Sequence, residues 1–203
     1  MICGRIGFQS SHSTYTVSQM SIPAFDTNNV LPPHTGDPRR LDQLSPYPCT
    51  TAELCQKFAT SPERIAILGG FLRFRALLVQ AGFVTGFQWL DGSFLEAIEA
   101  EENRPPKDLD LVTFYIPPNP AFNTTVAAAF PIFRSRSQIK TDFHLDHFLF
   151  DIAHHPVLTV EWTRYWTGLF SHRRDGVWKG MLRVDLNTPV EDTNARALLP
   201  GMT

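Results

Sequence analysis

The sequence predicts an α/β domain of the α+β kind: a mixed, twisted sheet flanked by helices, with an extended proline-rich arm at its N-terminal side. Three observations predict it. Residues 83–90 and 108–115 have the apolar texture of strands and are separated by a short acidic helical segment. Runs with Ser/Thr caps and apolar stripes precede and follow them. Six prolines between residues 22 and 48 exclude regular helix in that stretch.

The bulk properties narrow the classes. At 203 residues one domain is expected, and 43% apolar with 19% charged residues is ordinary for a globular chain. The formal net charge of −2 argues against a sequence-independent grip on long duplexes, which favours a basic chain. Charge is unevenly placed: residues 91–110 are acidic, and residues 134–183 carry most of the later basic side chains. Cys3, Cys49 and Cys55 form no zinc-type spacing and read as reduced thiols. The longest apolar candidate, residues 65–84, is interrupted by Arg73, Arg75 and Gln80, and no signal-peptide pattern opens the chain. The expectation is a cytoplasmic protein with no membrane insertion.

Taken in order, residues 1–19 read as a loosely docked tail, and residues 1–48 as tail plus arm packed on a domain formed by residues 49–203. Thr50 or Thr51 caps a short helix with Glu53 at its third position. Ser61-Pro62-Glu63 opens a second helix, with Ile65, Leu68, Leu72 and Val79 as its core stripe and Gly82 as its stop. A strand over 83–90 meets the Asp91-Gly92-Ser93 turn, followed by a helix over 94–100 and the strand ending at Tyr115. A helix is expected over 123–133 and a long strand over 141–152, with His144, Asp146, Phe148 and Phe150 on one face. Residues 157–170 form an aromatic helix, mostly core, although one of its rings is suited to stacking on a nucleobase. A basic turn at 171–176, a strand over 178–186 and a helix over 189–199 capped at Thr188 complete the chain.

The chemistry concentrates around the acidic stretch. Asp108 and Asp110 lie two apart on a strand and point the same way, so they repel unless a cation sits between them. Divalent ions such as Mg²⁺ take hard oxygen ligands, often carboxylates together with substrate phosphates. Gly92 allows close backbone approach, and Ser93 offers a hydroxyl at a helix start, where N–H groups receive phosphate oxygens. Asp146, within a largely apolar run, is the candidate third carboxylate. The histidines His144, His147, His154 and His155 lack a zinc-type pattern and read as satisfied or exposed, with His144 a candidate orienting group. Arg173, Arg174 and Lys179 are candidate triphosphate or nucleic-acid contacts.

The run WLDGSFLE followed by KDLDLVTF resembles the DNA polymerase beta-like nucleotidyltransferase superfamily. Together with LPP near the start and YWTGLFSHRRDGVWKG later, it looks like a small bacterial branch similar to the nucleotidyltransferases of two-gene defence or toxin–antitoxin systems, including the Hailong type. The resemblance implies the nucleotidyltransferase fold and two ions, Mg²⁺ or Mn²⁺, shared by Asp108, Asp110 and Asp146. It implies a triphosphate, ATP or dATP foremost, held by Gly92 and Ser93. The acceptor stays open among a single-stranded oligonucleotide extended without a template, a partner protein from the same locus and a small molecule. A non-catalytic nucleotide-binding module is the alternative.

Overall fold

A computed structural model describes residues 22–201; the expectations for residues 1–19 and for Cys3 lie outside the described residues. Five strands, β1 (Tyr47–Pro48), β2 (Gly86–Asp91), β3 (Leu109–Tyr115), β4 (Leu145–Asp151) and β5 (Leu182–Asp185), form one mixed sheet in the order β1-β5-β2-β3-β4. β2 runs antiparallel to both β3 and β5, whereas β3 and β4 are parallel, as are β1 and β5. The helices are α1 (Thr51–Phe58), α2 (Pro62–Gln80), α3 (Ile98–Glu102), α4 (Phe122–Ala129), α5 (Arg136–Phe143), α6 (Pro156–Phe170) and α7 (Pro189–Ala197). None is long and apolar enough to cross a membrane among the described residues.

Local signals set the first two helices. Thr50 accepts from the Glu53 N–H and Glu53 returns the bond to the Thr50 N–H, a reciprocal capping box on α1. Ser61 caps α2, Pro62 occupies its first turn, and Gly82, at φ 91°, takes the left-handed turn beyond its end. The buried side of α2 is wider than the expected stripe: Ile67, Phe71, Phe74 and Leu78 join Leu68 and Leu72, while Ile65 and Val79 are only partly buried.

The sheet divides the interior in two. Its back face, with Leu90, Leu109, Leu111 and Leu145, packs into the main core with α1, α2, Ile139 of α5 and Ala195 of α7. Its front face packs under Trp166 and Phe170 of α6 and Met181. Strand alternation and register build that front face in rows. Phe87, Phe114 and Phe150 form one row; Trp89, Val112 and Phe148 form the next; Asp91, Asp110 and Asp146 form the last. The arm belongs to this body. Val30 and Leu31 are fully buried, the Ala97 N–H donates to the Asn29 carbonyl, and β1 closes one edge of the sheet.

Several boundaries differ from expectation. The helix expected over 94–100 is a 3-10 turn, Ser93–Leu95, followed by the five-residue α3. The first long strand starts at Gly86 rather than residue 83, and the last spans four residues rather than residues 178–186. The strand expected over 141–152 begins only at Leu145. Ser135 caps α5 by accepting from the Gln138 N–H, so the helix runs through Phe143, and His144 turns left-handed at φ 57°. His144 therefore serves as a corner, its carbonyl accepting from the Leu109 N–H, and not as a side chain on the Asp146 face. The helix expected over 123–133 stops at Ala129 and gives way to a 3-10 turn. Thr188 precedes α7 as expected but makes no side-chain cap bond.

Candidate active site

Three neighbouring strands bring Asp91, Asp110 and Asp146 into register at one end of the front face. Asp108, just before β3 and two residues from Asp110, adds a fourth carboxylate on that side. Like charges spaced one strand apart repel, and each outer member is met by a cation. Asp146 Oδ1 accepts from Arg136 Nη2 at 2.6 Å and from Nε at 3.2 Å. Asp108 Oδ2 pairs with Lys140 Nζ. Lys179 Nζ lies 3.0 Å from Asp91 Oδ1 and donates to Glu96 Oε1 at 2.6 Å.

Asp110, in the middle, is different. Among the described residues no side chain hydrogen-bonds to its carboxylate. Burial, then the charges of Asp108, Asp91 and Asp146, push its pKa from 3.8 up to about 7, with Lys179 opposing. Burial likewise raises Asp91 to about 6 against the pull of Lys179. Burial alone would lower Lys179, but Asp91 and Glu96 more than offset it and keep the ammonium above its ordinary value. Asp91, Glu96 and Lys179 are all at most 5% exposed, so this triad is a fixed internal charge group.

The Asp-Gly-Ser turn touches this row directly. Gly92 sits at φ 87°, ψ −177°, a conformation that only glycine adopts without strain, and a Cβ there would overlap the Asp110 carboxylate. Ser93 is half-buried and starts a 3-10 turn, so the phosphate cradle expected at a helix N-terminus reduces to the turn itself. Gly92→Ala is expected to displace Asp110 and to cost about 1–3 kcal/mol of stability. Chemical denaturation checks the cost, and loss of divalent-ion binding checks the displacement.

The remaining expected site residues are spread out. Arg173 is held by Asp175 at 2.6 Å, lies 3.6 Å from Glu101 of α3 and donates to the Asn28 carbonyl of the arm. Arg174 is exposed. Lys179 is the surprise: expected on a basic surface, it is buried against Asp91 and Glu96. Glu96 lies in the segment expected as a short acidic helix, and nothing local in the sequence marks it out. It is fixed because the arm pairs with it through the Val30–Glu96 bridge. His147 is buried on the back face, hydrogen-bonded to Thr113 Oγ1 at 2.8 Å, and burial lowers its pKa to about 3; it is a core histidine. Of the aromatic helix, Trp166 and Phe170 are core, but Trp162, Tyr165 and Leu169 are exposed.

The donor set suits a hard divalent cation. It offers a row of three carboxylates, Asp91, Asp110 and Asp146, with Asp108 beside it, and the buried Asp91 Oδ1 is paired with Lys179. Among the described residues no three acidic, His or Cys side chains converge closely enough to ligate an ion as they stand. Asp108 Oδ2 and Asp146 Oδ1 are turned to Lys140 and Arg136, so a divalent ion competes with those partners for the two carboxylates.

Fold and site together define a mixed α/β protein with a carboxylate row at one end of its sheet, bordered by a glycine turn. Its family is the one described as a family of unknown function, DUF6932: the family model matches residues 23–185, and the chain belongs to it. No curated protein and no solved structure matched it in comparison. The match includes the arm, the three strands that carry Asp91, Asp110 and Asp146, and β5, and ends before α7.

Proposed function

We propose that the chain is a metal-dependent nucleotidyltransferase of the DNA polymerase beta-like kind. It transfers a nucleoside or deoxynucleoside monophosphate from a triphosphate to a hydroxyl and releases pyrophosphate. The observation that carries this reading is the in-register row Asp91, Asp110 and Asp146, with Asp108 alongside and Gly92 packed on Asp110.

Asp108, Asp110 and Asp146 would hold two divalent ions, Mg²⁺ or Mn²⁺. Such ions neutralise a triphosphate and lower the pKa of an attacking hydroxyl. The chain's own residues do the rest. Gly92 leaves room beside Asp110 that any side chain would fill. Lys179, locked by Glu96, keeps a positive charge behind the row and prevents Asp91 from adding a full uncompensated charge to it. In the transfer the acceptor oxygen bonds the α-phosphorus, the bond to the bridging β-phosphate oxygen breaks, and the hydroxyl proton passes to Asp146 or solvent. The work is positioning and charge neutralisation, with no need of a protein nucleophile.

A protein acceptor is a second reading, favoured by one observation. α6 exposes Val157, Leu158, Val160, Trp162, Tyr165 and Leu169, a concentration of apolar side chains that suits a protein surface. The test supplies each of the eight common triphosphates with Mg²⁺ or Mn²⁺ and follows pyrophosphate release and label transfer. A ladder of nucleic acid indicates oligomer synthesis, and label on a protein from the same locus indicates modification. If no triphosphate is consumed with either ion and either acceptor, the reading fails.

A further inference from the structure

Arg136 and Lys140 are one turn apart on α5, on the same side of the helix. They reach two different carboxylates of the site, Asp146 in the row and Asp108 beside it. The partners are unequal: the cations are 58% and 54% exposed, the carboxylates 23% and 17%. Arg136 also stacks on Phe148, its guanidinium carbon 4.0 Å from the ring centre. Helix stability does not explain Arg136, which lies in the first turn, where the helix dipole disfavours a cation, whereas Lys140 lies in the last turn, where the dipole favours one. Half-exposed ion pairs of this type are weak and exchange readily for a stronger partner.

Resting on the nucleotidyltransferase reading, we infer that Arg136 and Lys140 are the substrate's phosphate-binding cations, held in reserve on the carboxylates. When Asp108 and Asp146 take divalent ions, both basic groups are released at the rim of the row. A polyphosphate arriving with those ions then presents the anionic oxygens they have lost. Arg136 is suited to a bidentate grip on phosphate, and Lys140 to a point contact. The phosphate belongs either to the triphosphate or to the backbone of an acceptor strand.

Two affinities of one pair of variants are expected to move in opposite directions. Mn²⁺ binding is measured by spin resonance on wild type, Arg136→Gln and Lys140→Gln, with no nucleotide present. Each variant loses a competitor for its carboxylate and is expected to bind Mn²⁺ about three- to fivefold more tightly. Binding of α,β-methylene-ATP and α,β-methylene-dATP is then measured with Mn²⁺ saturating, and is expected to weaken about tenfold or more. A separate arm uses a short thymidine oligonucleotide. Weakening confined to that arm assigns the pair to the acceptor backbone, and weakening confined to the nucleotide arm assigns it to the triphosphate. Arg136→Lys and Lys140→Arg should retain most of the phosphate affinity. Unchanged or weaker Mn²⁺ binding in the Gln variants, or unchanged affinity for all three phosphate probes, overturns the inference while leaving the site reading intact. A wild-type chain that binds neither Mn²⁺ nor triphosphate overturns both.

Discussion

Asp110→Asn is expected to reduce turnover by on the order of 10³-fold or more, and at the same time to make the metal-free protein more stable near neutral pH. The first effect follows from removing the central carboxylate of the row, the one with no competing side-chain cation bonded to it, and several kcal/mol of metal-dependent charge stabilisation with it. The second follows from linkage. The folded chain holds the Asp110 proton up to about pH 7, whereas the unfolded chain releases it near 3.8. Between those values the folded state binds more protons, so wild-type stability falls as pH rises through the window. Asparagine is isosteric and has no such slope. The advantage of the variant should be absent near pH 4, open progressively and level off above pH 7 at on the order of 2 kcal/mol, the shift being discounted for local rearrangement. Urea denaturation in a chelator at a series of pH values measures it. Identical pH slopes for the two proteins would show that the row is not electrostatically strained.

Arg75→Met is expected to cost about 3–5 kcal/mol and to lower the melting temperature by about 10 °C. Arg75 is 2% exposed within the core. Its Nε donates to both oxygens of Asp192, at 3.0 and 2.9 Å. Nη1 donates to Gln88 at 2.7 Å, and Nη2 to the Asp185 carbonyl and Thr188. Gln88 passes the chain of bonds to Thr113, and Thr113 to His147. Removing the guanidinium leaves the largely buried Asp192 without its cation and three further acceptors without donors, and each loss carries a desolvation cost. The double change Arg75→Met with Asp192→Leu removes both charges and should recover much of the stability. Thermal melts of the two single variants and the double give the coupling directly. If the double variant is as unstable as the sum of the singles, packing rather than charge pairing explains the effect.

Much of the frame was legible because it is written locally. Thr50 with Glu53, and Ser61 with Pro62, announce helix starts through bonds made within one turn. Asp108 and Asp110 share a side because alternation along a strand is geometric. The residues that complete the candidate site were hidden because their positions depend on pairing over long sequence distances. Lys179 meets Asp91 only because β5 pairs with β2, and Glu96 is buried only because the arm crosses it. The alternating polar and apolar residues around 141–144 suit a strand locally, but Ser135 had already committed them to a helix. The aromatic content of α6 suggested core, yet one helix laid on a sheet can bury only one side, and Trp162 and Tyr165 fall outside it.

The order of the strands also bears on how the molecule is made. β5 arrives near the end of the chain but lies between β1 and β2 in the sheet. A growing polypeptide therefore displays the unpaired edge of β2 until residue 185 has left the ribosome, with nothing to seal it. Nascent chains stalled before that point should recruit chaperones or self-associate, and β1, which pairs with β5 alone among the described residues, can join the sheet only after it.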